Sequence, residues 1–76
     1  MSKKMGFQKR FKMSQSAHKR LDERHHSLYL KTKKDRHYIC QGYHASVYAR
    51  QKSLGRILTS EEKEKLYKAS EYFFYN

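Results

Sequence analysis

The sequence contains no proline, no tryptophan, three glycines and a single cysteine, Cys40. One cysteine cannot form an intramolecular disulfide, so we expect the protein to work in a reducing, cytoplasmic compartment. Long apolar runs are also missing, and the longest aromatic run covers only residues 72–75. A bilayer span needs roughly 20 apolar residues, and the N-terminus has positive charge without the apolar stretch of a secretory signal. We therefore predict a soluble protein without a membrane partner.

Large apolar side chains are scarce, since Leu, Ile, Val and Phe together make up only thirteen of the 76 residues. A fraction below about 20% combined with high net charge is typical of disorder. The seven tyrosines favour a small folded core instead, because tyrosine supplies packing area with a polar tip. A chain of this length forms one small domain at most. We predict a flexible basic arm over residues 1–13 and a single domain over residues 14–76.

Positive charge is what the sequence has in excess. Its 18 Lys and Arg residues face seven Asp and Glu residues, which gives a formal net charge of +11. A small domain stays soluble with a net charge of about 2–8 in magnitude, so solubility does not require this surplus. The charge therefore indicates a polyanionic partner.

Three helices are predicted from apolar spacing and helix-end signals. Apolar residues recur every three or four positions over residues 17–26, and another such stripe covers residues 44–54. Gly55 follows the second helix, where a left-handed residue commonly ends a helix. The third helix, over residues 60–74, begins at a Thr59-x-x-Glu62 capping box. We expect this last helix to be a scaffold, with Phe73 on its packed face.

Residues 28–41 predict a β-hairpin, because this segment is rich in tyrosine and contains β-branched residues. Its turn would lie near Lys34-Asp35, although the preferred Asn-Gly or Asp-Gly pair is absent. The predicted fold class is therefore α+β, with the hairpin packed on the short helices. In the alternative, the first helix runs through Lys31, residues 32–43 form a loop, and the domain is all-α with three helices.

Basic residues alternate with tyrosines through the centre of the chain, and this pairing suits RNA. Cations displace counterions from phosphate, and ring faces stack on unpaired bases. Single-stranded or structured RNA fits better than duplex DNA, whose bases are already stacked. The predicted phosphate ligands are Lys31, Lys33, Lys34, Arg36, Arg50, Lys52 and Arg56; the predicted base-stacking residues are Tyr38, Tyr43 and Tyr48; and Lys3, Lys4, Lys9, Arg10 and Lys12 of the arm would add sequence-independent affinity.

Histidine and cysteine occur at spacings that resemble a metal site, namely His37, Cys40 and His44, with His25 or His26 as a fourth residue. The repeated Cys or His pairs of zinc modules are missing, and in a hairpin His37 and Cys40 would point to opposite faces. We predict neither a metal nor another cofactor. Catalysis is not expected either, since acids are few outside the last helix and so short a chain has little room for a cleft. We do not expect a small-molecule ligand, for the same lack of room for a cleft.

These observations predict a non-catalytic RNA-binding protein. In size and composition the chain resembles two groups, small ribosomal proteins with a basic arm and small accessory proteins of bacteriophages. The first alternative is therefore a phage-type inhibitor of a host nuclease, toxin or CRISPR effector, which would act on a host protein complex directly or through bound RNA. The second alternative is a small ribosomal or DNA-binding protein.

Overall fold

A computed structural model describes residues 7–75, with side chains from residue 9 onward. This part of the chain forms three α-helices and no strand: α1 (Phe7–Thr32), α2 (Asp35–Leu54) and α3 (Ser60–Tyr75). The central helix α2 packs antiparallel against both α1 and α3, which make no close backbone contact with each other within residues 7–75. The molecule is elongated, with principal extents of 47 × 24 × 20 Å. No helix in the described range has both the length and the apolar character needed to cross a bilayer.

The predicted α+β fold with a hairpin over residues 28–41 is wrong, and the chain folds as the all-α alternative. Residues 28–32 form the end of α1, and residues 35–41 form the start of α2. The alternative was right that the first helix passes Lys31, but wrong that residues 32–43 form a loop. Tertiary packing overrides the β propensity of this segment, because helical spacing places Ile39, Val47 and Gln51 on one buried face of α2.

The chain does reverse direction close to the predicted turn, but between helices instead of strands. Lys33 and Lys34 connect α1 to α2, and Lys33 has a φ of 57°, in the left-handed region. The Lys33 backbone N–H donates a hydrogen bond to the Tyr29 carbonyl at 2.6 Å, which ends α1. Asp35 begins α2, where a carboxylate interacts favourably with the positive end of the helix dipole.

The N-terminal boundary differs from the sequence-based division. The predicted helix over residues 17–26 is the middle of α1, and residues 7–13 of the predicted arm form the first turns of the same helix. Residues 1–6 of that arm lie outside the described residues. The division into a flexible arm and a folded domain therefore stays a prediction.

The boundary between α2 and α3 confirms the sequence-based prediction. Gly55 has φ 69° and ψ 23°, and its N–H donates to the Gln51 carbonyl at 2.8 Å. The capping box is reciprocal: the Thr59 N–H donates to Glu62 Oε1 at 3.0 Å, and the Glu62 N–H donates to Thr59 Oγ1 at 3.3 Å. The glycine and the capping box thus fix the end of α2 and the start of α3.

The core is small and has a polar centre. Ile39, Val47 and Leu58 are its buried apolar residues among those described. Beside them, Gln51 is fully buried, and its amide donates to Ser14 Oγ at 3.1 Å and to Gln15 Oε1 at 2.9 Å. Its carbonyl oxygen accepts the Leu58 N–H at 3.2 Å. One side chain of α2 therefore joins α1 to the segment that leads into α3.

Candidate nucleic-acid interface

Parts of all three helices meet at one end of the molecule, which we call the turn end: residues 29–38 of α1, the connection and α2, with residues 72–75 of α3. The Tyr38 ring lies at its centre, with its centroid 5.0 Å from that of Tyr29 and 5.1 Å from that of Phe74. The Phe74 centroid lies a further 5.1 Å from that of Tyr75. These four side chains form a continuous row across three helices, which we call the aromatic row.

The turn end also carries a cluster of exposed cations. It contains four of the seven predicted phosphate ligands: Lys31, Lys33, Lys34 and Arg36. The only carboxylate within residues 31–36 is Asp35, and neither of the two ion pairs found among the described residues involves any of the four cations. Lys33 Nζ lies 5.6 Å from the Tyr29 ring centroid, a cation–π contact that joins the cluster to the aromatic row. These charges are open to an anion from solution.

The other three predicted phosphate ligands, Arg50, Lys52 and Arg56, lie far from this cluster. Arg36 and Lys52 are separated by 16 helical residues, which corresponds to about 24 Å along α2. The Arg56 guanidinium binds both carboxylate oxygens of Glu62, at 2.8 and 2.9 Å. The hydrogen bonds from Arg56 and from the Thr59 backbone lower the pKa of Glu62 to about 2, so this pair is charged and mutually neutralised at pH 7. The structure thus divides the predicted phosphate ligands between two ends of α2.

The three predicted base-stacking tyrosines have different environments. Tyr38 is 46% exposed and belongs to the turn end. Tyr43 is half-buried, its ring packs edge-on against His44 and Tyr67 at centroid distances of 4.8 and 5.5 Å, and burial raises its pKa. Tyr48 is half-buried beside α1, where its carbonyl accepts a hydrogen bond from Gln15 at 3.2 Å. Only Tyr38 combines an open ring with neighbouring cations.

The C-terminal turn of α3 contains exposed rings that the sequence analysis did not assign to the site. Phe73 is 77% exposed and Tyr75 is 65% exposed. The expectation that Phe73 lies on the packed face is therefore wrong. The sequence held a usable signal, since successive helical residues point about 100° apart and four consecutive aromatic residues cannot share one buried face. Some of the rings in residues 72–75 had to face solvent.

Histidines form a second unassigned feature, a line of rings between α1 and α2 that we call the histidine row: His18 and His25 on α1, His37 and His44 on α2. The Nδ1 atoms of His18 and His44 are 2.8 Å apart, and those of His25 and His37 are 3.3 Å apart. The His25 and His44 rings stack between these pairs at 5.7 Å and 8°. Each Nδ1 pair needs one donor and one acceptor, which neutral rings of suitable tautomers provide.

Burial favours the neutral form of three of these four histidines. It lowers the pKa of His18, of His25 and of His44, the last to about 4, and neighbouring positive charge adds to the effect. Across residues 7–75, no group of three or more His, Cys, Asp or Glu side chains is arranged to hold a metal ion. The row is therefore a polar contact between two helices, in which His18, His25 and His44 are neutral at pH 7.

Comparisons with protein-family models, curated proteins and solved structures found no match to this chain.

Proposed function

We propose that this chain is a non-catalytic RNA-binding protein that holds phosphates at the turn end. The observation that carries the proposal is the placement of four exposed cations within residues 31–36, next to a row of aromatic rings. Cations supply the counterion-release term of nucleic-acid affinity, and aromatic rings supply contacts to bases. The turn end places both kinds of group on one surface.

The four cations of the turn end are available to bind phosphate. Phosphate binding at the turn end breaks neither ion pair found in the described part of the chain, since those pairs are Arg56–Glu62 and Lys68–Glu64. At the other end of α2, a phosphate would have to compete with the bidentate carboxylate of Glu62 for Arg56. The turn end is therefore the favoured phosphate-binding surface.

The aromatic rings favour RNA with unpaired bases over duplex DNA. Duplex bases already stack on each other, whereas single-stranded and looped regions present base faces to solvent. A purely electrostatic binder would have no use for exposed rings beside its cations. Tyr38 is exposed and lies against Tyr29, the ring that Lys33 contacts, so it most directly joins the two functions.

Salt dependence of RNA binding tests this proposal. With about four phosphates neutralised, one at each cation of the turn end, the affinity for a single-stranded RNA should fall roughly fiftyfold between 50 and 200 mM salt. Fluorescence anisotropy of a labelled oligonucleotide measures this, with a duplex DNA of the same length as control. Absence of binding, or an affinity that does not change with salt, would contradict phosphate contact as the driving interaction. A partner from a cell extract that stays bound after RNase treatment would instead favour the protein-directed inhibitor.

A further inference from the structure

The turn end exposes more aromatic surface than the fold needs. The buried apolar residues, Ile39, Val47 and Leu58, lie along α2 and in the segment before α3. Phe73 and Tyr75 extend beyond this core, with most of their surface in water. A single exposed apolar residue is ordinary, but a contiguous exposed patch marks an interaction site.

Three rings of the turn end are open to solvent, since Tyr38 is 46% exposed, Phe73 77% and Tyr75 65%. Adjacent rings of the aromatic row are tilted by 58° between Tyr29 and Tyr38, by 47° between Tyr38 and Phe74, and by 86° between Phe74 and Tyr75. None of these pairs is stacked in parallel, so each neighbour covers only part of a ring face. A flat aromatic ligand can therefore stack on them.

Two shallow grooves lie on either side of Tyr38. One, of about 240 Å³, lies between α2 and α3 and is lined by Tyr38, Gly42, Phe73 and Phe74 among others. The other, of about 330 Å³, lies between α1 and α2 and is lined by Tyr29, Leu30, Tyr38 and Gly42 among others. Gly42 contributes to both, and a Cβ at this position would lie 3.8 Å from Ser70 Oγ, so the glycine leaves space in the groove between α2 and α3. Tyr38 therefore stands as a ridge between two ring-lined depressions.

The charges beside the rings decide what the patch binds. A purely apolar partner would not need a charged rim, but here Lys33 contacts the Tyr29 ring, and the exposed Lys34 and Arg36 are close to Lys33 in the chain. Cations beside exposed rings suit a polymer in which anionic groups alternate with flat aromatic ones. Single-stranded RNA has this chemistry.

We propose that unpaired RNA bases stack on the aromatic row and in the grooves beside Tyr38, with Phe73 and Tyr75 of α3 as the outer stacking rings. This inference rests on the proposed function and assigns to α3 a direct contact with RNA. Tyr43 takes no part, because its ring packs among Tyr67, His18 and His44. The phosphates flanking the stacked bases lie on the four cations of the turn end.

The test compares two polyanions, single-stranded oligoadenylate and inorganic polyphosphate, which has the charge but no base. Phe73→Ala should lower oligoadenylate affinity about tenfold, since one base–aromatic stack is worth roughly 1–3 kcal/mol. The same variant should bind polyphosphate with unchanged affinity. Leu54→Ala, which truncates a 47% exposed apolar residue at the other end of α2, is the matched control and should bind both polyanions normally.

Each outcome separates this inference from the proposed function. If neither polyanion binds the wild-type protein, the proposed function fails and the stacking site fails with it. If both bind and Phe73→Ala changes neither, RNA binding stands and the stacking site is overturned. Equal losses for both polyanions would also overturn it, because a base-free ligand cannot stack. Tyr75→Ala repeats the test at a second exposed ring, and far-ultraviolet circular dichroism confirms that each variant is folded.

Discussion

Gln51 shows how a core with few apolar side chains is held together. It is completely buried, and its single side-chain amide contacts Ser14 and Gln15 on α1 and the Leu58 N–H before α3. Within residues 7–75, α1 and α3 make no close backbone contact, so this amide links α1 to the segment before α3 through a side chain of α2. Where few apolar side chains pack, buried hydrogen bonds fix how the helices align with each other. Breaking these bonds costs much stability, because a buried polar group is then left without a partner.

Replacement of Gln51 by methionine tests that role. Methionine has a similar length and is apolar, so it fills the same space but leaves the buried Leu58 N–H without an acceptor. The free energy of unfolding should fall by about 1–3 kcal/mol, as expected for a buried group left unsatisfied. Chemical denaturation measures the change. Gln41→Met, at an exposed hydrogen bond to His26, is the control and should cost less than 1 kcal/mol. A Gln51→Met protein as stable as the wild type would show that the amide bonds add nothing to the fold.

Among the structural elements, the sequence predicted the boundary between α2 and α3 correctly but assigned the wrong secondary structure to residues 28–41. The α2–α3 boundary was predictable because Gly55, Thr59 and Glu62 act locally, through a left-handed residue and reciprocal backbone hydrogen bonds. The hairpin was not, because the segment around Tyr38 and Ile39 has strand-forming residues whose helical face is buried only by contact with distant parts of the chain.

The α1–α2 connection had no recognisable turn residue. Lys33 adopts a φ of 57°, a conformation that glycine or asparagine normally takes. Because a lysine occupies this position, no residue type marked the boundary between the two helices in the sequence. This backbone conformation is strained for a lysine, and the residue lies at the proposed site. Its side chain reaches the Tyr29 ring, so a less strained glycine there would remove one cation from the turn end.

The sequence predicted only part of the candidate site, because some of its residues are neighbours in the chain and others meet only in the folded structure. The cations of residues 31–36 are adjacent in sequence, so any fold keeps them together. The joining of Tyr29, Tyr38 and Phe74 depends on the antiparallel packing of three helices, which the predicted hairpin did not provide. The histidine row has a simpler signal, a spacing of seven residues on each helix, which is visible only once α2 is known to begin at Asp35.

Acidification should loosen the α1–α2 pair. Burial lowers the pKa of His44 from 6.5 to about 4 and lowers that of His25 and His18, so the folded state binds fewer protons than the unfolded state. The stability contributed by neutral histidines is therefore present above pH 6.5 and is lost as the pH falls from 6.5 toward 4. The charged groups facing the row oppose its protonation, apart from one carboxylate: Lys63 on α3, Arg24 on α1 and Arg36 on α2 repel a proton, and Asp22 on α1 attracts one.

Urea denaturation at pH 7 and pH 5 measures this effect. The unfolding constant should rise about tenfold over this range, a figure that allows for the partial exposure of the rings. The ion pair of Glu62 does not interfere, since its lowered pKa costs stability only as the pH falls from 4.5 toward 2. His44→Gln should flatten the dependence, whereas His26→Gln, at an exposed histidine outside the row, should retain it. A wild-type protein equally stable at both pH values would contradict this account.

At the scale of the whole molecule, two sources of RNA affinity can be distinguished, the net charge and a local binding site. A charge of +11 attracts any polyanion at long range, and that field acts on every part of the surface. A built site acts locally, through phosphates that lie against particular side chains. The 47 Å length of the molecule lets the two be told apart, because the turn end and the Arg50–Arg56 end of α2 lie well beyond one Debye length of about 8 Å at physiological salt.

Charge reversal at matched positions makes this distinction. Arg36→Glu, Arg50→Glu and Lys65→Glu each change the net charge by two units, but only Arg36 lies at the turn end. Arg36→Glu should lower the slope of log affinity against log salt by about one and weaken single-stranded RNA binding strongly, because it removes a phosphate contact. Arg50→Glu and Lys65→Glu should keep the wild-type slope and show only the small loss common to any change in net charge.

Anisotropy titrations at several salt concentrations give the slopes, and Arg36→Lys should restore most of the affinity. Equal losses in all three reversals would mean that the field of the whole protein binds RNA, and a larger loss at Arg50 would move the site to the other end of α2.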